Sequence, residues 1–162
     1  MKNDIREFHM PRYQELPNVG LYLIQTVKYI NSFLAPLGCM EITSSMISNY
    51  VKKGYIKGPV KKQYYAEQIA YLFFIAIVKN VLSMENIQKL FDMQKQTYDT
   101  KIAYDYFCQE LENMLHHIFG LKDMVVDVGN DASGEKKMLR STIIAVAHII
   151  YLSNCFDEFG KE

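Results

Sequence analysis

The sequence predicts a mainly α-helical fold with a small β wing and a C-terminal α-helical hairpin. Three observations carry that expectation. Apolar residues recur at helical spacing through much of the 162-residue chain, two β-prone dipeptides flank a basic Gly-Pro turn, and the last third holds two long apolar stripes. The length suits one domain with an appendage and is sufficient to bury a substantial core.

Residues 1–19 carry prolines at positions 11 and 17 and read as irregular. From residue 20 to about 36, Leu21, Ile24, Val27, Ile30 and Leu34 repeat as one side of a helix, which Pro36 and Gly38 end. Thr43 is a suitable N-cap for a second helix, and Gly54 a natural C′ residue to stop it. Lys57-Gly-Pro-Val-Lys-Lys62 then forms a turn-rich loop between Tyr55-Ile56 and Tyr64-Tyr65. Residues 66–82 are apolar almost all round, so this is expected to be the core helix. Ser83 caps a short helix presenting Ile87, Leu90 and Phe91, and polar residues 94–99 mark a boundary. Beyond it, helices are expected over about 100–119 and 135–156, joined by a loop.

Cys39, Cys108 and Cys155 are odd in number and widely spaced, which favours free thiols over disulfides or a zinc site. The polar N-terminus, with Asp4 and Glu7, does not read as a signal peptide. The longest apolar runs, around 69–78 and 143–152, are shorter than a bilayer requires, so a cytoplasmic protein without membrane contact is expected.

Charge is where function first shows. Lys plus Arg and Asp plus Glu balance at 18 each, yet residues 42–66 hold five lysines and no acid. The remainder carries 13 bases against 18 acids. A local cluster of one sign matters more to a phosphate partner than the sum. Along residues 44–53, helical spacing puts Met46, Ile47, Tyr50 and Val51 on one face and Ser45, Ser48, Asn49 and Lys52 on the other. Short hydroxyls permit close approach to a groove, Asn pairs with an adenine edge, and Lys contacts phosphate or guanine. Lysines in a last helical turn also offset the macrodipole in any protein, and lysines beside a Gly-Pro turn are also what a solvated loop carries.

The run Ile42-Thr-Ser-Ser-Met-Ile-Ser-Asn-Tyr-Val-Lys-Lys-Gly-Tyr-Ile56, followed by Tyr64-Tyr-Ala-Glu-Gln-Ile69 and Leu82-Ser-Met-Glu-Asn-Ile87, resembles the MerR-type winged helix-turn-helix. Tyr50 and Gly54 match the end of its recognition helix, Tyr65 its aromatic after the wing, and residues 82–90 its short following helix. Where that pattern usually has Arg, this chain has Ser48. The sequence is more closely similar to a bacterial family of domains of unknown function, thought to share this fold. The likeness covers about residues 8–93, including Pro11-Arg-Tyr and Glu15-Leu-Pro17. It implies a winged helix-turn-helix with an N-terminal arm over 1–94 and a helical dimerisation or effector region over 95–162. Ser44, Ser45, Ser48 and Asn49 would face base edges; Lys52, Lys53, Lys57, Lys61 and Lys62 would bind phosphate; Tyr64 or Tyr65 would brace the wing.

Other patterns do not carry chemistry. Residues 124–134 look like a strand entering a phosphate loop, but Glu135-Lys136 stands where Lys-Ser/Thr is needed, and a flexible polar loop is the better account. Adjacent His116 and His117 point about 100° apart on a helix and do not readily share a metal. His148, among Ile144, Ala145, Ile149 and Leu152, reads as a core histidine. Neither an enzyme nor a cofactor is expected. The stripes Tyr104, Phe107, Leu111, Leu115, Ile118 and Leu139, Ile143, Val146, Ala147, Ile150, Tyr151 suit an antiparallel pair whose surplus apolar width seeks a second copy. The leading expectation is a homodimeric regulator that binds double-stranded DNA. The alternatives are a protein-interaction adaptor on the same fold, or a sensor with an unknown small-molecule effector between the C-terminal helices.

Overall fold

The computed structural model describes residues 2–121 and 133–161, and these form a mainly helical structure with one two-stranded antiparallel sheet. In chain order the elements are α1 (Lys2–Glu7), β1 (Leu21–Tyr22), α2 (Leu23–Leu34), α3 (Ser44–Lys52), β2 (Gln63–Tyr64), α4 (Ala66–Val78), α5 (Met84–Thr97), α6 (Thr100–Ile118) and α7 (Gly134–Phe159). Short 3-10 turns lie at Tyr13–Glu15 and Ala35–Leu37. The expected polar loop falls at 122–132, outside the described residues, up to Ser133. That serine caps α7 by accepting from the Lys136 amide at 3.3 Å.

The central element is α4, as its all-round apolar composition predicts: Ile69, Leu72, Phe73, Ile75, Ala76, Ile77 and Val78 are fully enclosed. Phe73 meets Tyr29 and Phe33 of α2 at 6.1 and 6.0 Å between ring centroids and Tyr104 of α6 at 6.2 Å. Phe74, next along, meets Phe91 of α5 at 5.6 Å and Phe107 of α6 at 4.9 Å. Two adjacent side chains thus tie three helices to α4, at geometries that aromatic quadrupoles favour. The expected C-terminal hairpin is present, with α6 and α7 packed along their apolar stripes.

Two expectations about the first half of the chain are corrected. The N-terminal segment is not an irregular arm: α1 forms, and Ile5, Phe8, Met10 and Leu16 are buried in the common core. Arg12 pairs with Glu112 and donates to the Met10 carbonyl, while the Tyr13 amide donates to Asp105 at 2.7 Å. The Tyr104 hydroxyl donates to the Pro11 carbonyl at 2.7 Å. These bonds lash residues 10–13 to α6, across the 94/95 division, which itself falls within α5. The β pieces also pair differently. Tyr55-Ile56 forms no strand; β2 pairs with β1, Leu21 opposite Tyr64 and Tyr22 opposite Gln63.

Two apolar-face assignments change as well. His148 is exposed, because on α7 it lies opposite Ile143, Val146, Ala147 and Ile150. Ile24 likewise points outward from α2. Finally, α7 is by length and composition long and apolar enough to cross a membrane, which the short-run reading of residues 143–152 did not register. Its inner side is core packing on α6 and includes buried Thr142 and Asn154.

Cys39, Cys108 and Cys155 are free, as expected. Cys108 is fully enclosed beside Tyr104 and Arg12, and burial pushes its thiol up to about 12. Since the thiolate is the reacting form, Cys108 is expected to be the slowest of the three to alkylate at neutral pH in the native protein. In denaturant it should match the others. Fast labelling of Cys108 in the folded state, read by peptide mass spectrometry, would contradict the docking of residues 10–13 on α6.

Candidate nucleic-acid interface

The geometry of α3 follows from its ends. The Thr43 hydroxyl accepts from the Met46 amide at 3.1 Å, closing the first turn. At the other end Gly54, with φ of 77°, lets its own amide reach the Val51 carbonyl (3.0 Å) and the Tyr55 amide reach the Tyr50 carbonyl (2.9 Å). That pair of bonds is a Schellman stop, and it turns the chain sharply at a position where a side chain would be strained. Before the helix, Asn31 of α2 brackets Ile42: its amide nitrogen donates to the Ile42 carbonyl and its oxygen accepts from the Ile42 amide, both at 2.8 Å. The angle between α2 and α3 is therefore pinned by one side chain.

Ile47 and Tyr50 anchor α3 in the core, leaving Ser45, Ser48, Asn49, Lys52 and Lys53 exposed, as the helical spacing predicts. Ser44 is half-buried at the rim. Lys57, Lys61 and Lys62 are exposed. Among the described residues none of these five lysines makes an ion pair. No described residue neutralises their charge.

The loop after α3 is held against it. A Cβ on Gly58 would lie 3.4 Å from Val51 Cγ1, so the backbone there touches the last turn of the helix. Ile56 is buried, and Tyr55 packs on Tyr50 with ring centroids 6.5 Å apart. Gln68, in the first turn of α4, does two things. Its oxygen accepts from the Tyr65 amide at 2.7 Å, capping α4, while its nitrogen donates to the carbonyls of Lys57 and Gly58. This pin between loop and core helix is a role the sequence did not suggest; the signal was its place three residues after Tyr65, where N3 residues cap.

Residues 60–63 form a single tight turn. Val60 and Gln63 exchange both backbone hydrogen bonds, 2.9 and 3.0 Å, with Lys61 (φ 50°) and Lys62 (φ 66°) between them. Two successive residues at positive φ make a type I′ turn, for which Asn-Gly is the favoured pair. Lysine is poorly suited to both positions, and each costs about 1 kcal/mol. Gly20 completes the support: its backbone runs so close to β2 that a Cβ would sit 2.6 Å from Gln63 Cβ. The two tyrosines part company. Tyr64 is buried opposite Leu21 and braces the turn from within, so it cannot touch a ligand; Tyr65 is partly exposed and its hydroxyl donates to Gln63 at 3.4 Å.

Replacing the turn residues together, Lys61→Asn with Lys62→Gly, is expected to raise Tm by about 4–8 °C by relieving the left-handed strain at both positions. The same variant should weaken any polyanion binding. A Tm that stays level or falls, measured by calorimetry, would contradict the turn geometry.

Neither a curated protein nor a solved structure matches this chain. One family model does, over residues 11–107. That span begins at Pro11, whose carbonyl receives the Tyr104 hydroxyl, and ends at Phe107, which packs on α4, so the matched segment is closed by contacts between its own ends. The chain belongs to the family described as Domain of unknown function (DUF1836).

Proposed function

We propose that this protein is a DNA-binding transcriptional regulator, in which α2, α3 and the turn at Lys61-Lys62 act as a MerR-like winged helix-turn-helix. The observation that carries the reading is that Ser45, Ser48, Asn49, Lys52, Lys53, Lys57, Lys61 and Lys62 are all exposed, within a stretch without acids, and that among the described residues none of these lysines makes an ion pair. Ser45, Ser48 and Asn49, with Ser44 at the edge, supply short donors and acceptors for base edges; the lysines supply phosphate contacts. Lysine at two strained positions favours the same reading, since strain kept where Asn-Gly would relax it points to a role for the charge. Access to a genome in turn requires a cytoplasmic location, and the role is one of binding rather than catalysis.

The proposed active form is a homodimer through α7. Its outward face presents Met138, Ala145, His148, Leu152, Phe156 and Phe159 at helical spacing, and Phe156 and Phe159 are 71% and 77% exposed. Lys137 lies near its start, and Asp157 and Glu158 near its end. Antiparallel pairing about a two-fold axis between His148 and Ile149 sets Met138 of one protomer beside Phe159 of the other and Ala145 beside Leu152. The same register brings Lys137 toward Glu158, so the apolar strip and the end charges agree on one arrangement. Two copies would present two α3 helices to paired half-sites.

Anisotropy of a labelled duplex titrated with the protein at several salt concentrations tests the DNA reading. Affinity should fall linearly on a log–log plot against salt, and removal of Lys61 or Lys62 should each lower the slope by about one. Binding at low salt no tighter than to an uncharged polymer would refute it. For the dimer, Phe156→Lys should halve the mass seen by light scattering; a parent protein that is already monomeric at high concentration would reject that arrangement.

A further inference from the structure

A cavity of about 140 Å³ lies between α4, α5, α6 and the first turn of α7. Phe74, Leu90, Phe91, Phe107 and Leu139 supply much of its wall. The rings there stand edge to face: Phe74 meets Phe107 at 4.9 Å and 62°, and Phe91 meets Tyr71 at 4.7 Å and 72°. An apolar cavity of about 150 Å³ is large enough to hold one benzene ring.

The polar side chains that reach this wall are already engaged. The Tyr71 hydroxyl donates to Gln94 Oε1 at 2.8 Å and lies 3.3 Å from the Thr100 hydroxyl. Gln94 Nε2 donates to the Tyr98 carbonyl at 2.7 Å, and the Tyr104 hydroxyl to the Pro11 carbonyl. The Tyr106 hydroxyl is hydrogen-bonded to Glu110. Glu135 accepts from the Thr97 hydroxyl through Oε1, and its Oε2 has almost no accessible surface. Lys136 Nζ stands over the Tyr106 and Tyr98 rings, 5.0 and 5.6 Å from their centroids, and Lys95 Nζ over the Tyr71 ring at 5.6 Å. The cation positions on those faces are thus filled from within the chain. A charged guest would leave water for a wall whose polar side chains have partners, and an ion buried without one is costly.

Size, ring geometry and the engaged polar groups agree on one kind of guest. We propose that the cavity binds an uncharged, hydrocarbon-like molecule with a single aromatic ring, which extends the edge-to-face array of Phe74, Phe91 and Phe107. One ring follows from the volume, and neutrality from the wall. An aromatic body is favoured over a saturated one of equal size because ring contacts add to the area buried. The site is independent of the DNA reading, because it uses none of the residues of α3 or of the turn at Lys61-Lys62.

Calorimetric titration of the full chain with toluene, methylcyclohexane, benzylamine and phenylacetate, without DNA, tests it. Toluene should bind tightest, about two- to tenfold tighter than methylcyclohexane. Both charged compounds should bind at least about tenfold more weakly than toluene. Amide shifts induced by toluene should centre on the cavity wall, at Ala70, Phe74, Phe91, Ala103 and Phe107. Ala103→Leu, which adds carbon to that wall from α6, should abolish toluene binding while the helical circular dichroism is retained. The proposal is overturned if toluene does not bind, or if any of the other three compounds binds as tightly. It is equally overturned by toluene shifts centred elsewhere, or by a folded Ala103→Leu variant that still binds. Should that variant not fold, the ligand ranking and the shifts of the parent protein decide.

Discussion

Everything else in this molecule is arranged around the burial of α4 on all its sides. A helix with Ile69, Leu72, Phe73, Ile75 and Ile77 fully enclosed must be covered by neighbours in every direction. The chain supplies α2, α5, α6 and α7 for that purpose. Phe73 and Phe74 set where three of those neighbours sit. Loss of one such ring in a close-packed interior costs about 3–5 kcal/mol, a large part of a domain's total stability. The basic face inherits its position from this core. Asn31 extends from α2 to fix the start of α3, and Gln68 extends from α4 to fix the loop after it.

On the proposed DNA-binding reading, that coupling is how a protein of zero formal net charge would address a polyanion. The five lysines of residues 42–66 occupy one stretch held against α4, while the acid excess is spread over the remainder. On that reading phosphate would be attracted to this stretch and repelled elsewhere, so the balance would select an orientation rather than weaken the encounter. Without the Gln68 pin, Lys57 would move with a free loop, and the charges would lose their fixed spacing.

The sequence disclosed what is encoded locally. The Thr43 cap, the Gly54 stop and the alternation of buried and exposed residues between them are all set within a few residues, and α3 was legible to its ends. So was α6, while α7, whose stripe also runs for several turns, continues past the expected end at about 156 to Phe159. What stayed hidden depends on partners distant along the chain. Tyr64 pairs with Leu21 rather than Tyr55, and no pattern in either segment announces that. Ile5, Phe8, Met10 and Leu16 have no regular period, so their docking on the core was invisible until α6 supplied Tyr104, Asp105 and Glu112. His148 misled for a different reason: Ile144, Ala145 and Leu152 share its face at i−4, i−3 and i+4, but that apolar face of α7 looks outward rather than onto the core, and Ala145 and Leu152 are exposed beside it. The cavity beside Glu135 needed four helices to exist at all.

The most direct measurement for the account is a residue-resolved titration: backbone amide shifts of the labelled protein recorded as a mixed-sequence duplex is added. The account predicts that the largest changes fall within residues 44–65, with Ser45, Ser48, Asn49 and the turn at Lys61-Lys62 foremost, and that buried Tyr64 follows only weakly. Shifts centred on α6 or α7 would contradict it, as would a spectrum that duplex leaves unchanged.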